Sequence, residues 1–148
     1  MIELTQVSKH FHEGQPNEVV AVRNVSLHLP AGQVTVLQGP SGSGKTTLLT
    51  LIGCLARPTQ GRVLLQGRLL SGLPEAHLAQ VRRQTFGFVF QRFNLIQGLS
   101  TLHNVMLPAY PMGPPHAELV ARARRVMASL GLAARESTRV ELLSGGEM

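Results

Sequence analysis

One run of eight residues in this chain has the types and spacing needed to hold a phosphate chain. Glycines let successive backbone N–H groups turn toward an anion, and the N-terminus of a following helix adds its dipole. Lys45 supplies a positive charge to the β- and γ-phosphates, and the Thr46 hydroxyl is a ligand for Mg²⁺. The run fits G-x-x-x-x-G-K-[ST] without a mismatch and consists of Gly39, Pro40, Ser41, Gly42, Ser43, Gly44, Lys45 and Thr46. It predicts a P-loop that binds a nucleoside triphosphate.

The flanking residues predict the elements that must position this loop. Residues 34–37 form a short β-branched run, typical of a strand buried on both faces of a parallel sheet. From Lys45 to Ala56 apolar residues recur at helical spacing, and Pro58 follows the helix. A glycine-rich turn that only caps a helix is the alternative. The strand before the loop and the helix after it favour the P-loop.

The remaining pattern predicts an α/β fold that begins with antiparallel strands. Residues 2–7 and 19–29 alternate apolar with polar side chains, and a turn-rich loop over 12–18 separates them. Further strands are expected over 62–66 and 86–91, and further helices over 74–83 and 115–130.

Composition excludes several kinds of site. All eight acidic residues among the 148 are Glu, so paired-Asp catalysis and Asp-based calcium loops are ruled out. A single Cys54 gives no intramolecular disulfide and favours a reducing compartment. The first residues do not have the pattern of a signal peptide, and no apolar stretch is long enough to span a membrane. The net charge is +6, but the basic residues are scattered and only 4% of residues are aromatic, so nucleic-acid binding is not expected.

Two further segments follow Lys45 and narrow the class of P-loop protein. Gln91 ends the predicted strand over 86–91, and Leu143-Ser144-Gly145-Gly146-Glu147 lies near the end of the chain. With these motifs in this order, the whole chain resembles the ATP-binding-cassette (ABC) ATPases. The P-loop resembles their Walker A motif, Gln91 the Q-loop glutamine, and 143–147 the start of the LSGGQ-type signature, with Glu147 in place of the commoner Gln. Residues 39–49, 90–96 and 104–108 resemble the macrolide-export and lipoprotein-releasing ATPases within the family.

The resemblance implies a fold and a set of site residues. The implied fold has an ATP-binding core with an antiparallel β subdomain over 1–91 and a helical subdomain over 92–148, with the C-terminal part of the family pattern missing. ATP and Mg²⁺ are the implied cofactors, with Lys45 and Gln91 as catalytic residues and Thr46 and Gln91 at the metal. The implied nucleotide-binding residues are Phe11, Gly39, Pro40, Ser41, Gly42, Ser43, Gly44, Lys45, Thr46, Thr47, Ser144, Gly145 and Gly146. Phe11 either stacks on adenine or is an ordinary strand-end core residue, and the sequence leaves both open.

The resemblance also implies partners. Ser144, Gly145 and Gly146 would contact the γ-phosphate of ATP held by a second copy, so that two copies associate head to tail and share the active site. The segment 93–105 would meet an integral membrane permease. The implied location is cytoplasmic, at the inner face of the cell membrane.

The family pattern continues beyond the signature into motifs that this chain does not contain. With no Asp, the second Mg²⁺-holding carboxylate is missing, none of the eight Glu is placed as the catalytic base, and all six His precede the signature. We therefore expect the N-terminal part of a longer ATPase that is inactive alone. Three functions stay open: an ATPase subunit for export or lipoprotein release, a non-transport ABC protein of the cell-division type, and a nucleotide-binding module without catalysis.

Overall fold

The chain folds as two units, Met1–Gly87 and Phe88–Met148, in a computed structural model that describes residues 1–148. The sequence places the boundary after Gln91, and that assignment stays a prediction. No helix in either unit combines the length and the apolar character needed to cross a lipid bilayer.

The first unit is built on one antiparallel sheet with the order β2-β1-β3-β4. Its strands are β1 (Ile2–Phe11), β2 (Val19–Leu29), β3 (Gln60–Leu65) and β4 (Arg68–Leu69). In the register of β1, Leu4 lies opposite Leu27 on one side and Val63 on the other, which places apolar side chains together on one face. The predicted strands over 2–7, 19–29 and 62–66, and the antiparallel start, are confirmed.

Two helices cover apolar residues of this unit. Helix α1 (Lys45–Ile52) buries Leu51 and Ile52 against the sheet, and α2 (Glu75–Thr85) begins directly after Pro74. The core of the sheet and α1 consists of Leu4, Val7, Val22, Leu51, Ile52 and Val63. A second cluster under α2 consists of Cys54, Leu70, Leu78 and Val81. The helices predicted over 45–56 and 74–83 are therefore present, the first ending earlier than expected, at Ile52.

Two predicted strands are not formed, and the expected parallel sheet is absent from residues 1–148. Residues 34–37 are irregular, with Val34 94% exposed and Val36 69% exposed. Residues 86–91 are also irregular, and Val89 is fully exposed. A strand is held by hydrogen bonds to a neighbouring strand, and neither segment is paired with a strand of the sheet.

The second unit is helical. Helix α3 (Thr101–Met106) leads into a 3₁₀ segment (Leu107–Met112), and α4 (His116–Ser129) packs on α3 through Met106, Leu119 and Ala123. Gly131 has φ 73° at the end of α4, and the N–H of Leu132 donates to the carbonyl of Met127 at 2.8 Å, the C-terminal motif that Gly favours. Short 3₁₀ turns at Ala133–Arg135 and Val140–Leu142 follow. The helix predicted over 115–130 is confirmed.

Candidate nucleotide-binding site

The P-loop enters α1 through a backbone shape that only glycine adopts easily. Gly44 is the N-cap of α1 with φ 85°, in the left-handed region. A Cβ at Gly44 would overlap the carbonyl oxygen of Ala21 on β2, so glycine is needed for close approach as well as for its dihedral angles. No side chain caps the first turn of α1, and this turn therefore presents its N–H groups toward the loop.

Lys45 lies at the C-terminal end of the loop and forms hydrogen bonds with three loop residues. Its ammonium group donates to the carbonyl oxygens of Gly39 at 2.8 Å and Pro40 at 2.6 Å and to the hydroxyl of Ser43 at 3.3 Å. These three contacts arrange the loop around the lysine Nζ atom. The result is a positive charge at the mouth of a turn rich in backbone N–H groups, which is the arrangement that attracts a phosphate.

A cavity of about 360 Å³ opens beside the loop. Its lining comprises Ala21, Val22, Arg23, Val25, Leu37, Gln38, Gly39, Pro40, Ser43, Gly44, Lys45 and Leu48. Arg23 and Lys45 are its only charged residues and both are basic, so the lining favours an anionic ligand. Thr46 is exposed and Thr47 half-buried in the first turn of α1, where the Thr46 hydroxyl is free to reach a ligand.

Phe11 lies at the last position of β1 and is 42% exposed, so it is not part of the core. The ammonium of Lys9 lies 5.2 Å from the centre of its ring, a cation–π distance. Sequence reasoning missed this pair, although the i, i+2 spacing on a strand places both side chains on one face. An exposed ring on a strand end is available for stacking against a planar ligand.

Gln91 and the signature residues belong to the second unit. Gln91 is exposed in an irregular segment and not at a strand end as predicted. Ser144, Gly145 and Gly146 form an exposed turn. The structure therefore brings the P-loop residues together, while the signature residues form a separate group with a contact network of its own.

That network centres on Glu147. One carboxylate oxygen accepts from the Ser144 N–H at 2.9 Å and from the Ser144 hydroxyl at 2.7 Å, and the other accepts from Arg135 Nε at 2.7 Å. The Ser144 N–H, the Ser144 hydroxyl and Arg135 together lower the pKa of Glu147 to about 2. Sequence reasoning missed this network, although Ser-x-x-Glu is the capping-box pattern and was a usable signal.

The geometry around Lys45 defines a P-loop protein: a glycine-rich turn leads into the N-terminus of a helix, and the lysine at the start of that helix binds back to the turn. Residues 22–148 match the ABC transporter family. The chain belongs to this family, as the sequence resemblance indicated.

Relatives and solved structures agree with this assignment. The chain is 42% identical over 147 residues to the macrolide export ATP-binding/permease protein MacB of Burkholderia lata, covering 99% of this chain and 21% of that protein. It is 42% identical to the pyoverdine export ATP-binding/permease protein PvdT of Pseudomonas fluorescens, covering 99% and 22%. The chain thus spans about a fifth of the length of these curated relatives.

A solved structure confirms the fold. The ATP-binding cassette MJ0796, solved as a dimer in a post-hydrolysis state with ADP and Pi, superposes with a TM-score of 0.90 at 36% identity. The match covers 99% of this chain and 65% of that one. The predicted fold class, a P-loop fold of ABC type with an antiparallel β subdomain and a helical subdomain, is confirmed, and the chain corresponds to part of the ATP-binding cassette of an ABC transporter.

Proposed function

We propose that this chain is the ATP-binding part of an ABC exporter, in which ATP binding and hydrolysis are coupled to export through a membrane permease. The observation that carries the proposal is the P-loop geometry, with Lys45 Nζ held by three loop acceptors at the start of α1. The relatives named for macrolide and pyoverdine export support an export role.

In this proposal the P-loop binds the phosphates of ATP. Lys45 exchanges its contacts with neutral carbonyls for charge-assisted contacts to the β- and γ-phosphates, which are stronger. The N–H groups of the loop and of the first turn of α1 donate to the same oxygens. Phe11 stacks on adenine with its exposed ring.

Magnesium fits this site as a partner of the phosphates. The exposed Thr46 hydroxyl is an oxygen ligand at the start of α1, and Gln91 is proposed as a second one. No cluster of three or more His, Cys, Asp or Glu side chains that could hold a metal is present, so most of the ligands would be phosphate oxygens and water. When bound, the ion would neutralise negative charge on the phosphates.

A second copy completes the proposed site. Ser144, Gly145 and Gly146 present a hydroxyl and backbone N–H groups on an exposed turn, suited to a γ-phosphate held by the P-loop of another copy. The dimeric form of the solved relative supports association of two copies, which we propose to be head to tail. We further propose that residues 93–105 contact the permease and that the chain therefore works at the cytoplasmic face of the membrane.

Nucleotide binding without hydrolysis is a second candidate for the chain as it stands. The amino-acid composition supports it, because the sequence has no Asp that could be a second ligand of Mg²⁺. A phosphate-release assay separates the two, because an ATPase liberates phosphate and a binding module does not.

Calorimetric titration with Mg-ATP tests the assignment of the P-loop. Lys45→Ala is expected to weaken binding by about 1.5–3 kcal/mol, since it removes a charge-assisted contact. Arg124→Gln is the control: Arg124 pairs with Glu136 within the second unit, so this variant removes an equal charge without changing a P-loop residue. Unchanged affinity in Lys45→Ala would refute the proposal.

A further inference from the structure

The carboxylate of Glu147 occupies both donors of Ser144. Its Oε2 atom accepts from the Ser144 hydroxyl at 2.7 Å and from the Ser144 N–H at 2.9 Å. A hydroxyl has one proton to donate. In the free chain, therefore, Ser144 has no proton left for a phosphate, and any anion that binds it must displace Glu147.

The positive charge of Arg135 makes it easier for a phosphate to displace Glu147 from Ser144. A phosphate approaching Ser144 meets the negative carboxylate of Glu147 at close range, and like charges repel. The Nε of Arg135 donates to the other carboxylate oxygen of Glu147 at 2.7 Å. The charges of Arg135 and Glu147 cancel, and Arg135 keeps the carboxylate bound when it leaves Ser144.

We propose that Glu147 and Arg135 are positioning residues for the contact between Ser144 and the γ-phosphate. Glu147 fixes the Ser144 side chain in the free chain and releases its hydroxyl when the phosphate arrives. Arg135 then retains the released carboxylate and offsets its charge. The inference rests on the proposed function, in which Ser144 meets ATP held by a second copy.

A purely structural cap predicts something different. If Glu147 and Arg135 only stabilised the turn at 144–147, Glu147→Gln would weaken association as Arg135→Gln does, because each change removes part of the network that holds the turn. The positioning role instead predicts that Glu147→Gln does not weaken association and that the effect of Arg135 disappears once the charge at 147 is removed. The Glu147→Gln variant separates the two roles, and a double-mutant cycle measures the coupling between the two residues.

The test is ATP-dependent self-association of the 148-residue chain, measured by sedimentation velocity in Mg²⁺ with ATP or ADP. Arg135→Gln is expected to weaken association in ATP about threefold, the scale of an exposed ion pair, and less at high salt. Glu147→Gln is expected to associate at least as strongly as the wild type, because its amide oxygen still accepts from Ser144. The double variant should match Glu147→Gln, and Arg135→Lys, which keeps the charge, should match the wild type.

Controls separate this inference from the function on which it rests. Arg124→Gln removes a comparable exposed pair with Glu136 and should leave association unchanged. With ADP, which lacks the γ-phosphate, the variants should not differ. Weaker association of Glu147→Gln than of the wild type overturns the inference. So does equal weakening by Arg135→Gln in the wild-type chain and in the Glu147→Gln variant, or no weakening in either. Absence of ATP-dependent association in the wild type overturns the proposed shared site and this inference with it.

Discussion

Replacing Gly44 by Ala should destabilise the first unit more than the same change at Gly42. Both glycines have left-handed backbone angles, with φ 85° and 78°, so each substitution carries a strain of about 1–2 kcal/mol. At Gly42 a new Cβ meets nothing within 4 Å, whereas at Gly44 it overlaps the backbone carbonyl of Ala21. Relieving that overlap requires β2 or α1 to move, which adds about 1–3 kcal/mol.

Thermal and urea unfolding without nucleotide measure the difference. Each Gly→Ala change lowers the conformational entropy of the unfolded chain by the same amount, so this effect cancels when the stabilities of the two variants are compared. A difference of about 2 kcal/mol corresponds to a Tm about 4–8 °C lower for Gly44→Ala than for Gly42→Ala in a chain of this size. Equal Tm values for the two variants would refute the packing argument, since only Gly44 approaches a neighbouring strand.

Three further predictions concern the second unit and the acid range. Asn104→Ala should lower the free energy of unfolding in urea by about 1–3 kcal/mol, because the side-chain amide donates to the carbonyls of Ile96 and Ser100. Asn104→Asp should be no more stable than Asn104→Ala, because a carboxylate cannot donate to these carbonyls. Met127→Ala, at a fully buried side chain, should lower the free energy of unfolding by about 2–5 kcal/mol. Val126→Ala, at a half-exposed side chain, should lower it by less than about 1 kcal/mol, and equal losses in the two variants would contradict the core assignment. Carboxylates with lowered pKa values stabilise the folded state above their unfolded pKa of 4.5, so the Tm should fall as the pH drops from about 4.5 toward 2, and a flat profile would contradict this. The carboxylates are Glu18, Glu136, Glu141 and Glu147.

The elements predicted correctly are those whose signals are local. Helix α4 has an apolar stripe that buries Leu119, Ala123 and Met127, and Gly131 follows it in the left-handed conformation. The second half of β2 alternates between exposed and half-buried residues from Asn24 to Leu29, which is enough to fix a face. The P-loop is equally local, because its backbone shape and its lysine lie within eight residues.

The errors arise where a pattern depends on a distant partner. The run 34–37 has the composition of a buried strand, but composition reports that a segment suits burial and does not say which strand covers it. The contact between Arg135 and Glu147 crosses a turn, and its geometry follows from how residues 136–146 fold. No periodicity in the sequence specifies that distance.

The two groups proposed to bind phosphate, Lys45 and Ser144, differ in the contacts that they must break first, and this difference sets the order of steps in the proposed cycle. Lys45 is held by neutral acceptors, the carbonyls of Gly39 and Pro40, which compete weakly with a charged phosphate. Ser144 donates to the charged carboxylate of Glu147, which is an anionic acceptor like the phosphate and therefore competes strongly with it. ATP should therefore fill the P-loop of a single chain readily, while the Ser144 contact forms only when a second copy supplies the rest of the interface. Under the proposed function, nucleotide binding precedes association, and the signature turn contributes little affinity until association occurs.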